Sequence, residues 1–250
     1  MNEYFLRLNP SKTKILVVAS PNIQLDINIC GIFLNSKCIR FVQSARNLGV
    51  LLDDELSFIS HINNLVKASF SVIKKTSQVK GYLTEQQLKQ IVSSDVFMRL
   101  DYCNSLFYGL QNELIQRMQK VQNCAARLVS KKKLSSRSLD AFIFDNHWLQ
   151  VKFRPIYKIL LIVHNCLHHD APDDIKSMIQ YGDSPRTLLL HEPAFNNKFG
   201  KRSFSRSGPK LWNSLPFNLR LEAKTEKFKK DVKSFLMLNG EGFLQKLDQH

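Results

Sequence analysis

The sequence predicts an α+β fold that is mainly α, with short antiparallel strands near the N-terminus, a three-helix bundle, and a helical C-terminal region. Three observations carry that reading. Runs of β-branched and alternating residues are concentrated in the first fifty positions. From Ile62 the apolar residues fall three and four apart, the period of a helix with one buried face. Thr84-Glu85-Gln86-Gln87 has the form of a capping box, in which Thr and Gln satisfy each other's backbone N–H at a helix start.

In chain order, Lys14 to Val18 is a β-branched run ended by Ser20-Pro21-Asn22, and Ile27 to Cys30 alternates before the breakers Gly31 and Asn35-Ser36. Cys38 to Val42 and Leu48 to Leu52 are expected to complete a small antiparallel sheet. The first helix uses Ile62, Leu65, Val66, Phe70 and Ile73, and the second Leu88, Ile91, Val92, Val96 and Leu100. The third, with Leu114, Met118, Val121, Ala125 and Leu128 on one face, is the most regular. Arg117, Lys120, Arg127 and Lys131 gather in a separate sector of it, a basic stripe beside the buried face. Lys131-Lys132-Lys133 ends this helix, where cations complement the negative pole of the macrodipole.

Ser135-Ser136-Arg137-Ser138 reads as a linker. Beyond it, Ile156, Ile159, Leu160, Val163 and Leu167 predict a buried helix whose Pro155 must lie in the first turn. A short helix is expected after Ala171-Pro172, a strand at Arg186 to Leu190, and a last helix from about Thr225 with Phe228, Val232, Phe235 and Leu236 inward. The domain reading is 1–55, 56–134 and 147–240.

The 250 residues carry a formal net charge of +15, and 44% are hydrophobic, so a packed core is available and a disordered basic tail is excluded. The excess is +4 over residues 1–110, +6 over 111–170 and +5 over 171–250. It implies a polyanionic partner, RNA or DNA backbone before an anionic membrane surface. Between Glu192 and Glu222 there is no acidic residue, and Lys198, Lys201, Arg202, Arg206, Lys210 and Arg220 are interleaved with Phe199, Phe204 and Trp212. Cations mixed with rings suit a nucleic-acid surface, and equally a basic loop whose rings anchor it to the core. The apolar run Ile159 to Val163, which no other run exceeds, is far short of the roughly 20 residues of a spanning helix. No signal-peptide pattern opens the chain, and the five scattered cysteines form no C-x-x-C pair, so reduced thiols in cytoplasm or nucleus are expected.

Little in the sequence has catalytic form. Asp53-Asp54-Glu55 is the only early acidic cluster, with Asp26 the only other carboxylate placed to share a two-metal site; helix-start caps are the economical reading. Neither a Walker-type loop nor a G-x-S-x-G setting is present. His164 and His168 share a helix face as zinc ligands can, with Cys166 and His169 nearby, but no second ligand pair accompanies them.

Six stretches, in order, resemble the C-terminal part of the reverse transcriptase of jockey-like non-LTR retrotransposons, the long interspersed elements of animal genomes. They are Leu8 to Lys14 (LNPSKTK), Arg46 to Asp53 (RNLGVLLD), Arg99 to Asn104 (RLDYCN), Val121 to Arg127 (VQNCAAR), His147-Trp148-Leu149, and Gly208 to Pro216 (GPKLWNSLP). Gln150 departs from the proline usual after His-Trp-Leu, and Arg137 to Asn146 matches poorly. The resemblance implies that 1–55 are the last palm strands with a primer-grip-like Leu48-Gly49, that residues 58–133 form the thumb, and that the remainder is the element's C-terminal domain. It implies further that the paired catalytic aspartates, which bind Mg in that family, precede Met1, leaving no catalytic residue, no metal ligand and no cofactor here. The expected function is that of a truncated RNA-directed DNA polymerase, inactive alone. It would bind RNA or template–primer backbone nonspecifically through Arg117, Lys120, Arg127, Lys131, Lys198, Lys201, Arg202, Arg206 and Lys210, and an intact element protein is a further conceivable partner. The alternatives are a helical protein-interaction module without nucleic-acid function and a chain whose uncovered sheet edges prevent stable folding.

Overall fold

The computed structural model describes residues 9, 11–19, 31–34, 37–169, 171–182, 188–195 and 197–248. It is α+β and mainly α, and it divides into two compact units, residues 1–64 and 65–250.

The first unit holds two antiparallel hairpins. β1 (Gly31–Leu34) pairs with β2 (Lys37–Arg40), Gly31 opposite Arg40, and β3 (Ser44–Asn47) pairs with β4 (Val50–Asp53), Asn47 opposite Val50. They are separate two-stranded sheets rather than one. The expected strand at Lys14 to Val18 contributes a single parallel bridge, Ile15 to Phe41, because a β-branched run becomes a strand only where it finds a partner edge. The expected strand at Ile27 to Cys30, and Asp26, lie outside the described residues. Leu48 and Gly49 are not strand but the loop of the second hairpin, at φ 45° and 87°. Positive φ at both central residues is the requirement of a type I′ loop, whose twist matches that of the flanking strands.

After β4 the Asp53 carboxylate accepts the backbone N–H of Ser57 at 2.7 Å and of Phe58 at 2.8 Å. This locks the turn, with Phe58 at φ 58°, from which α1 (Ile59–Val79) starts. Asp53 thus fixes the turn ahead of α1 rather than capping its first N–H groups, since both donors precede Ile59. Along α1 the buried positions are Ile62, Leu65, Ser69 and Thr76, whereas Phe70 is exposed. The inward face is thus turned toward two small hydroxyl residues, whose O–H groups donate to the carbonyls of Leu65 and Val72 one turn back.

In the second unit Thr84 and Gln87 form the capping box that opens α2 (Glu85–Ile91), Thr84 N–H donating to Gln87 Oε1 at 2.8 Å and Gln87 N–H to Thr84 Oγ1 at 3.2 Å. A π-helical turn, Val92–Phe97, joins it to α3 (Met98–Asp101). The extra residue per turn brings both Val96 and Phe97 inward beside Leu88, Val92 and Leu100. α4 (Asn112–Ser130) buries every residue of its predicted face and also Gln122, Ala126 and Val129. Of these, Ala126 meets the helix that the segment read as a linker opens. Ser135 instead caps α5 (Ser136–Asp145) through its hydroxyl at 3.2 Å from the Ser138 N–H, and Leu139 and Ile143 pack on Ala126. The correction has a simple cause, since a serine run opens helices as readily as it forms loops when apolar residues follow at helical spacing.

The larger core lies around α6 (Arg154–His168), with Pro155 in its first turn as required. Ile156, Ile159, Leu160 and Val163 pack with Leu211 and Trp212 of α9 (Phe204–Asn213), and with Phe228, Val232, Leu236, Phe243 and Leu247 of α11 (Thr225–Asp248). Short helices α7 (Asp173–Lys176), α8 (Lys198–Arg202) and α10 (Phe217–Arg220) connect these. Of the expected strand at Arg186 to Leu190, residues 186–187 lie outside the described set, and Leu190 makes one antiparallel bridge to Tyr181. Among the described residues no helix is long and apolar enough to cross a membrane.

Candidate nucleic-acid interface

With one broad face of α4 buried against α2, the π-turn and α5, its outer side is reduced to a narrow strip. Arg117, Lys120 and Arg127 are all exposed on it, spaced by three and seven residues. They span about 15 Å of helix rise, and their guanidinium and ammonium groups are free to reach a backbone of phosphates. Lys131 follows in register but serves the fold as well. It takes the left-handed conformation, φ 55°, that ends the helix, and its Nζ donates to the Leu83 carbonyl at the start of the α2 segment.

The cations of the acid-free stretch are placed differently. Arg202 donates through Nε to the Tyr108 carbonyl at 3.2 Å, and its stem lies against Gly109, where a Cβ would come within 3.0 Å of it. Arg206 donates to the Pro193 carbonyl at 2.9 Å. Both arginines hold chain segments together. Lys201 is exposed and Lys210 half-buried, while the Lys198 side chain lies outside the described residues. Trp212 is completely buried, its indole N–H donating to the Leu188 carbonyl at 2.9 Å, and Phe204 packs on the same core. Those two rings anchor the segment rather than offer a stacking surface.

In the first unit Leu48 stands out at the hairpin tip, 84% exposed, with Gly49 exposed beside it. Leu51 N–H donates to His61 Nδ1 at 3.3 Å, and burial, then the Arg46 charge, lowers the basicity of His61. The sequence reading passed over a second set of cations. No acidic residue occurs between Glu55 and Glu85, and Lys67, Lys74, Lys75 and Lys80 are exposed along and just beyond α1. The acid-free criterion applied to residues 193–221 would have found them.

The Arg99 to Asn104 motif is a network at a helix end. Arg99 Nε donates to the Asp95 carbonyl at 2.8 Å, and Asn104 Nδ2 to Asp101 Oδ1 at 3.2 Å. Its centre is a residue the sequence did not single out. Arg154 Nη1 lies 2.8 Å from both Asp101 oxygens, Arg154 Nε donates to the Leu149 carbonyl at 2.9 Å, and the guanidinium sits 4.7 Å from the Phe97 ring centre. The Leu149 carbonyl also accepts Gln122 Nε2 at 3.1 Å. The resembling motifs around Asp101 and Leu149 are therefore joined through Arg154, and Gln122 of a third, Val121 to Arg127, joins at the Leu149 carbonyl.

At the end of α6, His164 is fully buried against Phe228, with ring centres 4.2 Å apart, and its Nε2 lies 2.9 Å from the Glu222 carbonyl. Since that carbonyl can only accept, Nε2 carries the proton and donates. Burial keeps His164 less basic than usual, the carbonyl opposing this and His168 and His169 adding to it. His169 Nε2 pairs with Thr225 Oγ1. Among the described residues no three His, Cys, Asp or Glu side chains are grouped so as to hold a metal ion. No family model, curated protein or solved structure matches the chain.

Proposed function

We propose that this chain binds the sugar–phosphate backbone of RNA or of a template–primer duplex without sequence preference, as the thumb-like and C-terminal part of a reverse transcriptase of the jockey-like non-LTR type. The observation that carries the reading is the exposed row Arg117, Lys120 and Arg127, held on a helix whose opposite face is locked in the core. Backbone contacts of this kind fix position and register and carry no base information. Polymerase chemistry is assigned to carboxylates outside this chain. Asp53 holds two backbone N–H groups and Asp101 holds Arg154, which supports structural roles for both.

The test is fluorescence anisotropy with a labelled RNA–DNA hybrid. Arg117→Gln, Lys120→Gln and Arg127→Gln together weaken binding by about ten- to a hundredfold, equally for unrelated sequences. Primer extension on a poly(A) template gives no incorporation with the purified chain. Unaltered hybrid binding by the triple variant would favour the rival reading, a helical protein-interaction module, and metal-dependent synthesis would overturn the assignment of chemistry elsewhere.

A further inference from the structure

Beside the Arg154 network, α6 and α11 enclose with the π-turn and the His147–Leu149 segment a hollow of about 550 Å³. That volume is within the range of small-ligand pockets, about 300–1,000 Å³. Its composition is uneven. Phe97 and Trp148 meet edge to face with centroids 4.7 Å apart and form an aromatic wall together with Tyr157. Lys158 and Lys233 also line it, and among the described residues neither forms an ion pair. The only carboxylate in the lining, Asp101, is already held by Arg154, so the hollow has a net positive charge contributed by the two lysines.

One polar atom lacks a partner. Asn104 is only 3% exposed, and its Oδ1 has no hydrogen bond. The amide orientation is fixed by chemistry, because the Asp101 carboxylate only accepts and must face Nδ2. The orphan is thus a buried acceptor belonging to a residue that lines the hollow, and its desolvation is uncompensated by any protein donor among the described residues. Lys233 is in a comparable state. Burial, and then the Arg154 charge, depresses its basicity, with Asp101 opposing, and an anion placed against it would restore it.

We propose that this hollow is a nucleotide site, which takes a nucleobase against the aromatic wall at Trp148 and a phosphate on Lys158 and Lys233. The aromatic wall and the pair of lysines suit a ligand that is flat and anionic, and a nucleotide supplies both in one molecule. It uses none of the residues of the α4 stripe and stands whether or not that stripe binds a nucleic-acid backbone. The nucleotide is either a free monophosphate or one unit of a chain with its base turned out.

Tryptophan fluorescence reads the site directly, because the protein has two tryptophans and Trp212 is sealed in the core. Adenosine 5′-monophosphate or pentaadenylate quenches Trp148 saturably, while inorganic phosphate alone gives no quench and adenosine binds at least about fivefold more weakly than the monophosphate. Saturation by the monophosphate identifies a free-nucleotide site; saturation by pentaadenylate alone identifies a unit of a chain. Lys158→Gln with Lys233→Gln weakens either ligand about tenfold or more at an unchanged thermal midpoint. Lys158→Gln alone, on an exposed side chain, weakens it about threefold and serves if the double variant does not fold. The triple variant of the α4 stripe leaves monophosphate quenching unchanged. Absence of saturable quenching by both ligands, or equal binding by the folded lysine variants, would overturn the proposal.

Discussion

Removing Asp101 is the sharpest structural perturbation available, because it strands a guanidinium that the fold has taken out of water. The Arg154 side chain is 9% exposed and the Asp101 side chain 45%. Breaking a fully buried pair from one side costs about 3–5 kcal/mol, and an exposed pair contributes about 0.2–1 kcal/mol. A buried cation paired with a half-exposed carboxylate falls between these, so Asp101→Ala is expected to cost about 2 kcal/mol. For a unit of this size that lowers the thermal midpoint by about 4–8 °C. Arg154→Met leaves the Leu149 carbonyl with its Gln122 partner, so the second arm of a double-mutant cycle introduces no new orphan there. Urea unfolding of Asp101→Ala, Arg154→Met and the double variant should show the double costing less than the sum of the singles by about 1–2 kcal/mol. Additivity within about 0.5 kcal/mol would refute the view that this pair ties the Asp101 motif to α6.

Two further outcomes follow from local geometry. Leu48 occupies a left-handed position that costs a branched side chain about 1–2 kcal/mol and suits Asn, so Leu48→Asn should slow amide exchange across β3 and β4, and unchanged exchange would count against the loop assignment. His164 has a folded-state basicity below its unfolded one, so its contribution to stability is fully present above about pH 6.5 and declines as the pH falls below that value and the unfolded chain takes up the proton first. The urea midpoint should therefore drop between pH 7.5 and 5.5. In His164→Gln the drop should be smaller, with the remainder owed in part to His168, whose basicity is also lowered by burial and His169; identical pH profiles would contradict it.

Legibility in the sequence tracks the range of the interaction. The capping box at Thr84 and Gln87, the inward face of α4 from Leu114 to Leu128, and Pro155 in a first turn are all settled within four residues or by a periodic pattern, and each is found where the sequence placed it. Choices made by distant partners were not legible. Arg154 reads as an ordinary basic residue until Asp101, 53 positions earlier, is brought against it. Gln122 looks like a polar interruption of a helix until the Leu149 carbonyl needs a donor. On α1, apolarity favoured Phe70 inward, but hydroxyls satisfied one turn back allow Ser69 to be buried instead. Among the candidate site residues, exposure of Arg117, Lys120 and Arg127 followed from the helical period. The tethering of Arg202 and Arg206 to backbone carbonyls did not, because charge composition does not reveal which cations the fold itself uses.

The most direct measurement is the salt dependence of hybrid binding by the unaltered chain and by the Arg117→Gln, Lys120→Gln, Arg127→Gln variant. Each phosphate contact on a duplex contributes about 0.9 to the slope of log affinity against log salt, and about 0.7 on a single strand. Three lost contacts should flatten that slope by about 2–3 while leaving the thermal midpoint unchanged. Parallel lines of equal slope would show that the exposed row on α4 does not touch the nucleic acid.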